Sequence, residues 1–158
     1  CFGYSMGISP LISYNYGKRE TARLKQTFSI SLKLIGLVSC GVFAFCNLAA
    51  AGLVGLFVDR GTHVFEMAYK GLHLFSFTFL FMGLNVFASA LFTALSNGKV
   101  SAVLSFCRTL VFVAGFLLIL PQLWQMTGVW LSVPLAETLS CAVSVYCFIR
   151  YRNVYKFA

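Results

Sequence analysis

The sequence predicts an all-α integral membrane protein with four transmembrane helices. Two observations carry this. Of 158 residues, 59% are hydrophobic and only 10% are charged, whereas soluble domains carry roughly a quarter charged residues. Long uncharged runs, 34–58, 71–98, 109–136 and 138–149, also separate the charges. An ordinary soluble enzyme is excluded on this composition. A disordered chain is excluded by its 17 phenylalanines, because disorder requires low hydrophobicity.

A bilayer core of about 30 Å takes roughly 20 apolar residues per helix. The first two runs each supply one span. The third is interrupted by the polar hinge of Pro121, Gln122 and residues 125–128, and the fourth begins one residue after Glu137. Residues 101–149 therefore hold two spans that meet at the hinge. The expected spans are about 30–58, 69–97, 101–122 and 128–149.

The net charge of +8 comes from 12 basic and 4 acidic residues. Lys18, Arg19, Arg23, Lys25 and Lys33 precede or open span one, and only Arg60 and Lys70 lie between spans one and two. Lys99 and Arg108 follow span two, the hinge carries no charge, and Arg150, Arg152 and Lys156 close the chain. Ten basic residues thus fall on one side and two on the other. Lys and Arg mark cytoplasmic loops, so both ends of the chain are expected in the cytoplasm and the protein in the cell membrane. The basic excess reads as topology, and no nucleic-acid partner is expected. The six cysteines form no CxxC pair. They read as small packing residues, with no metal and no cofactor.

Span two carries a polar stripe. At 100° per residue, Gly71, Thr78, Asn85, Ser89, Thr93 and Ser96 fall within roughly 80°. Such side chains turn from lipid toward protein or a watery cavity, so Thr78, Asn85 and Ser89 either bond neighbouring helices or line a cavity. In span one, Ser29, Lys33, Gly36, Cys40, Asn47 and Ala51 form a narrower stripe that reads mainly as a helix seam, with Asn47 its only amide. Arg108 lies about 13 Å along the axis from Lys99. It either snorkels to the interface or meets an ion-pair partner or substrate in a cytoplasmic vestibule. Glu137, nine residues beyond Gly128, lies well inside the hydrocarbon, where a carboxylate is a functional hypothesis by default. It is either a carrier of reversible protonation or a buried structural acid. Glu66, Lys70 and His73 are spaced to share a helix face at a solvated entrance. No phosphate-binding glycine loop, zinc motif or nucleophile elbow is present, so the sequence does not read as an enzyme.

Residues 7–18, GISPLISYNYGK, strongly resemble a segment of the multidrug and toxic compound extrusion (MATE) transporters, in which a "PLISYNYG" stretch runs into a basic loop. Three further matches follow in the family's order. Residues 56–59 (LFVD) resemble an external helix end. Residues 94–99, with the arginine of 105–108 (SFCR), resemble a cytoplasmic turn and the next helix. Residues 128–137 (GVWLSVPLAE) resemble a "GxWxxxPxAD" pattern with Glu137 in place of Asp. The resemblance covers about residues 5–152. It implies a fold of twelve helices in two six-helix lobes, of which this chain would be the end of helix eight plus helices nine to twelve, a partial C-terminal lobe. Some members carry a cation-binding carboxylate in helix ten; here residues 71–98 contain none, only Asn85.

The resemblance implies a secondary-active exporter that exchanges H⁺ or Na⁺ for small amphiphilic or cationic substrates by alternating access. Its partners would be the lipid bilayer and the missing N-terminal lobe. On this view the stripe of span two and residues 13–15, with Tyr14 and Asn15, contribute to the C-lobe side of the cavity. Two other expectations stand beside it. One is a lipid-linked oligosaccharide flippase of related architecture. The other is a stand-alone four-helix membrane protein acting in assembly or interaction, with a native start near Met6.

Overall fold

A computed structural model describes residues 2–157. These are helical almost throughout, with no strand among the described residues. Helix α1 (Phe2–Gly17) contains Pro10 and ends in a turn where Arg19 takes a left-handed φ of 58°. The 28-residue α2 (Thr21–Leu48) follows, about 42 Å long at 1.5 Å per residue. It breaks at Ala49 before the short α3 (Ala50–Gly55). The helix thus starts ahead of the expected span at 30–58, and Arg23, Lys25 and Lys33 ride on its first turns.

Span two is built as a bent pair, α4 (His63–Ser76) and α5 (Thr78–Ala94), which meet at Phe77 with a 41° bend. Thr62 caps α4, its hydroxyl accepting from the Phe65 amide at 3.2 Å. This satisfies one of the donors that a helix start leaves unpaired. Asn97 caps α6 (Gly98–Phe106) in the same way through Val100. A π-helical stretch, Cys107–Ala114, continues it without a break.

The last helix, α7 (Gly115–Tyr155), is broken at Trp124 and Gln125, where Gln125 has φ 49° and ψ −129°. The chain doubles back here. Gly128 lies so close to the backbone of Leu120 and Pro121 that no Cβ would fit between them. The apolar run from Gly98 to Tyr155 spans 58 residues, far more than one crossing needs, and the reversal divides it into two passes. Thr21–Leu48 is also long and apolar enough to cross, and the α4–α5 pair passes the same test taken together.

Helix α5 is the central post, packed against α1, α2, α6 and α7. Around it Phe28, Phe87, Phe92, Phe148 and Phe157 form a buried cluster, with Phe28 and Phe148 edge to face at 5.4 Å. Several of the chain's phenylalanines therefore fill the core. The outward faces of α2 and the first half of α7 carry exposed Leu37, Phe45, Leu48, Leu118 and Ile119, as lipid contact requires.

The seam expected along span one is met only at Asn47, which reaches Ser76 of α4 at 3.0 Å. Ser29, Lys33, Gly36, Cys40 and Ala51 are exposed, and α2 instead buries Leu24, Phe28, Ser31, Ile35 and Ser39. Small residues occur on both faces, so spacing alone did not choose between them. The buried face is the one that carries bulky apolar side chains and also a partnered hydroxyl: Ser31 meets the Tyr4 hydroxyl at 2.9 Å. The basic segments do gather at one end. Tyr155 receives a bond from Asn97 at 2.9 Å and packs on Tyr16 at 5.7 Å. That joins the α1–α2 turn, the α5–α6 turn and the end of α7.

Candidate functional site

One buried polar network links spans two, three and four. Asn85, 3% exposed, donates from Nδ2 to the backbone carbonyl of Glu137 at 2.9 Å and to its Oε2 at 2.6 Å. The Ser144 hydroxyl donates to Asn85 Oδ1 at 3.0 Å, so both ends of the amide are engaged and its orientation is determined. The other carboxylate oxygen, Glu137 Oε1, faces Arg108 Nε at 3.7 Å. That is an ion pair looser than a charge-assisted hydrogen bond. Glu137 is 5% exposed. Arg108 thus turns inward to a partner, and the snorkelling alternative drops away.

Local sequence places each of these groups. Pro134 lies one turn before Glu137 inside α7, and Thr138 bonds back to its carbonyl at 2.8 Å. Arg108 rides on the π-helical stretch, a form of backbone that recurs at functional positions in longer helices.

A cavity of about 210 Å³ opens beside the network, between α1, α5, the α6–π junction and the second half of α7. Its polar lining includes Asn85, Ser89, Thr93, Ser105, Arg108, Ser140 and Ser144. Ser89 bonds the hydroxyls of Ser101 at 2.9 Å and Ser105 at 2.7 Å, and Thr93 donates to Ser101 at 2.7 Å. These hydroxyls make a continuous seam from the α5–α6 turn inward. Ser5 and Ser140 are buried at the cavity with no protein hydrogen-bond partner for either hydroxyl. Unpaired buried hydroxyls are costly, and a polar occupant would satisfy them.

The structure brings Asn85, Ser89, Arg108 and Glu137 together and places the other sequence candidates elsewhere. Thr78 is buried without a partner below the bend. Asn47 spends its amide on Phe43 O at 2.9 Å and Ser76 Oγ at 3.0 Å, tying α2 to the end of α4. Tyr14 is exposed and holds Lys18 Nζ 4.4 Å from its ring centre. Asn15 lines a separate pocket at the basic end, and Ser13 donates to Ala94 O at 2.9 Å. The α1 contribution to the cavity is instead Phe2, Ser5 and Met6. Ser5, Ser140 and Ser144 were not singled out from sequence. Four-residue spacing joins Ser140 to Ser144, and extending that face back by three residues reaches Glu137.

A family model described as MatE matches residues 1–118. The chain belongs to the MATE family. It is 26% identical over 157 residues to the multidrug export protein MepA of Staphylococcus haemolyticus, covering 96% of this chain and 33% of that protein. A solved structure of the MATE multidrug transporter DinF-BH is 29% identical with a TM-score of 0.89, covering 99% of this chain and 35% of that one. Two MATE transporter structures, one inward-facing and one outward-facing, share the fold at 21% identity with TM-scores of 0.87 and 0.88. The chain spans about a third of the length of the relatives it matches. An all-helical membrane fold and MATE membership, both expected from the sequence, therefore stand.

Proposed function

We propose that this MATE-family chain forms the C-lobe wall of a secondary-active exporter that moves organic cations and other amphiphilic drugs across the cell membrane in exchange for H⁺ or Na⁺. The observation that carries the reading is Glu137, a buried carboxylate held between Asn85 and Arg108 at the edge of a hydroxyl-lined cavity. Intramembrane carboxylates are costly and mark ion pathways. A coupling cation arriving at Glu137 competes with Arg108 for Oε1, so the pair has two states that binding can bias. The fold matches inward-facing and outward-facing relatives almost equally well, as a unit that rocks without repacking would. The other lobe, supplied by the rest of the protein, completes the cavity, and the basic end faces the cytoplasm.

Arg108 already answers to Glu137, leaving no net positive charge between them for a pyrophosphate. That favours cationic cargo over a lipid-linked oligosaccharide. The test is transport by the intact gene product in proteoliposomes carrying a cationic dye. Dye movement driven by an imposed proton or Na⁺ gradient supports the reading and identifies the ion. A full-length protein that moves no dye under either gradient overturns it.

A further inference from the structure

Three serines on two helices leave the cavity beside Glu137 rich in hydrogen-bond acceptors. A serine hydroxyl carries one proton and two lone pairs, and inside a helix the proton commonly goes to the carbonyl four residues back. Ser9 of α1 does this with Ser5 O at 2.7 Å, and Ser132 of α7 with Gly128 O at 2.6 Å. Ser5 and Ser140, on the same two helices, do not. They are 2% and 4% exposed, both line the cavity, and neither hydroxyl has a partner among the described residues. A buried hydroxyl left unpaired is costly, so this cavity is built for an occupant that bonds them.

Ser144 stands one turn beyond Ser140, is 2% exposed and lines the same cavity. Its proton is committed to Asn85 Oδ1 at 3.0 Å, which leaves its lone pairs. The protons of the neighbouring seam are committed as well. Ser101 donates to Ser89 O at 2.8 Å, and Thr93 to Ser101 Oγ at 2.7 Å. Asn85 Nδ2 gives its protons to Glu137. For Ser140 the Ala136 carbonyl, four residues back, is the local acceptor, so toward the cavity it too presents lone pairs. Arg108 is the one charged group in the lining, and Glu137 faces it. Arg108 apart, the cavity offers an occupant serine oxygens, with Phe2, Met6 and Leu104 as apolar wall.

We propose that Ser5, Ser140 and Ser144 form an acceptor subsite that selects organic cations carrying N–H protons over cations whose nitrogens are fully substituted. The proposal rests on the transport reading above and narrows its cargo. An ammonium or arylamine N–H that sheds water on entry finds serine oxygens in its place. A fully alkylated cation brings no donor and leaves Ser5 and Ser140 unpaired, a loss that a hydrogen-bonding site turns into discrimination.

The test uses the intact protein and two rhodamine methyl esters of the same core and charge, one with free amino groups and one fully methylated on the same nitrogens. Fluorescence anisotropy in detergent gives the dissociation constant of each dye, and the quantity read is their ratio. Ser140→Ala and Ser5→Ala should each shift this ratio about fivefold toward the methylated dye, the contribution of one neutral hydrogen bond. Ser132→Ala removes a buried α7 hydroxyl that its own helix satisfies outside the cavity, and it should leave the ratio unchanged. A variant that folds less well lowers binding of both dyes and does not mimic the shift. A ratio that neither Ser5→Ala nor Ser140→Ala moves overturns the proposal, as does one that Ser132→Ala moves as far. Gradient-driven uptake of both dyes into proteoliposomes is measured alongside. Uptake by the parent with an unmoved ratio leaves the transport reading standing without the subsite. If neither dye is taken up, the transport reading fails and the anisotropy ratio still decides the subsite.

Discussion

Asn85 holds Glu137 through a single nitrogen, at 2.9 Å to the backbone carbonyl and 2.6 Å to Oε2. The contact fixes α7 against α5 and also sets the direction of the carboxylate, leaving Oε1 toward Arg108. An amide thus stands in α5, and the acid it holds sits across the interface on α7.

Asn85→Leu removes both bonds and strands Ser144. We expect lower dye efflux at unchanged membrane abundance, with a stability loss of about 1–2 kcal/mol, the range of interhelical hydrogen bonds in membranes. Efflux assays with abundance measured on the same cells check it. An unchanged resistance profile would remove Asn85 from the transport path.

Glu137→Gln keeps a side-chain oxygen for Asn85 but loses the charge that attracts Arg108 and can take up a proton. Transport by this variant should lose or shift its pH dependence at near-parental abundance, with a lowered Tm because the largely buried Arg108 loses its partner. Initial rates across a pH series decide this. A variant that only expresses poorly, with the parental pH profile, would make Glu137 a structural acid.

Gly128 touches the Leu120 carbonyl where the chain reverses. Backbone atoms cannot swing aside as a side chain end can, so Gly128→Ala should open the hairpin at a cost of about 1–3 kcal/mol, as overpacking does. A lowered Tm is the readout, and an unchanged Tm would contradict so close an approach.

Gln125 holds φ 49° and ψ −129° in the same reversal, a conformation that glycine adopts freely and other residues adopt at a cost of about 1–3 kcal/mol. Gln125→Gly should therefore raise Tm despite the added freedom of the unfolded chain. A fall in Tm would show that the side chain is needed there.

The long apolar helices were legible because charge is so costly in hydrocarbon that its absence over 20 or so residues is a strong signal. The hinge was legible from Pro121 and the polar residues after it, although the reversal itself falls at Trp124 and Gln125. The bend at Phe77 and the π-helical stretch at Arg108 left no mark in composition, since both are matters of backbone packing. Asn85 and Glu137 could each be singled out as polar groups in apolar helices. That they touch could not be read, because 52 residues separate them and nothing local couples their positions. Arg108 had two readings until Glu137 was placed beside it. Asn47 drew notice for the same reason as Asn85, and only the packing shows that it is satisfied by Phe43 and Ser76.

The central claim is that the cavity beside Asn85, Arg108 and Glu137 lies on the path of the transported molecule. Ser105 lines that cavity and is exposed, so a Ser105→Cys variant of the intact protein, with its native cysteines replaced, gives a direct test. The account predicts that a charged methanethiosulfonate reagent inhibits dye transport by this variant and that excess dye slows the labelling. Rapid labelling that leaves transport untouched and is indifferent to dye would contradict it.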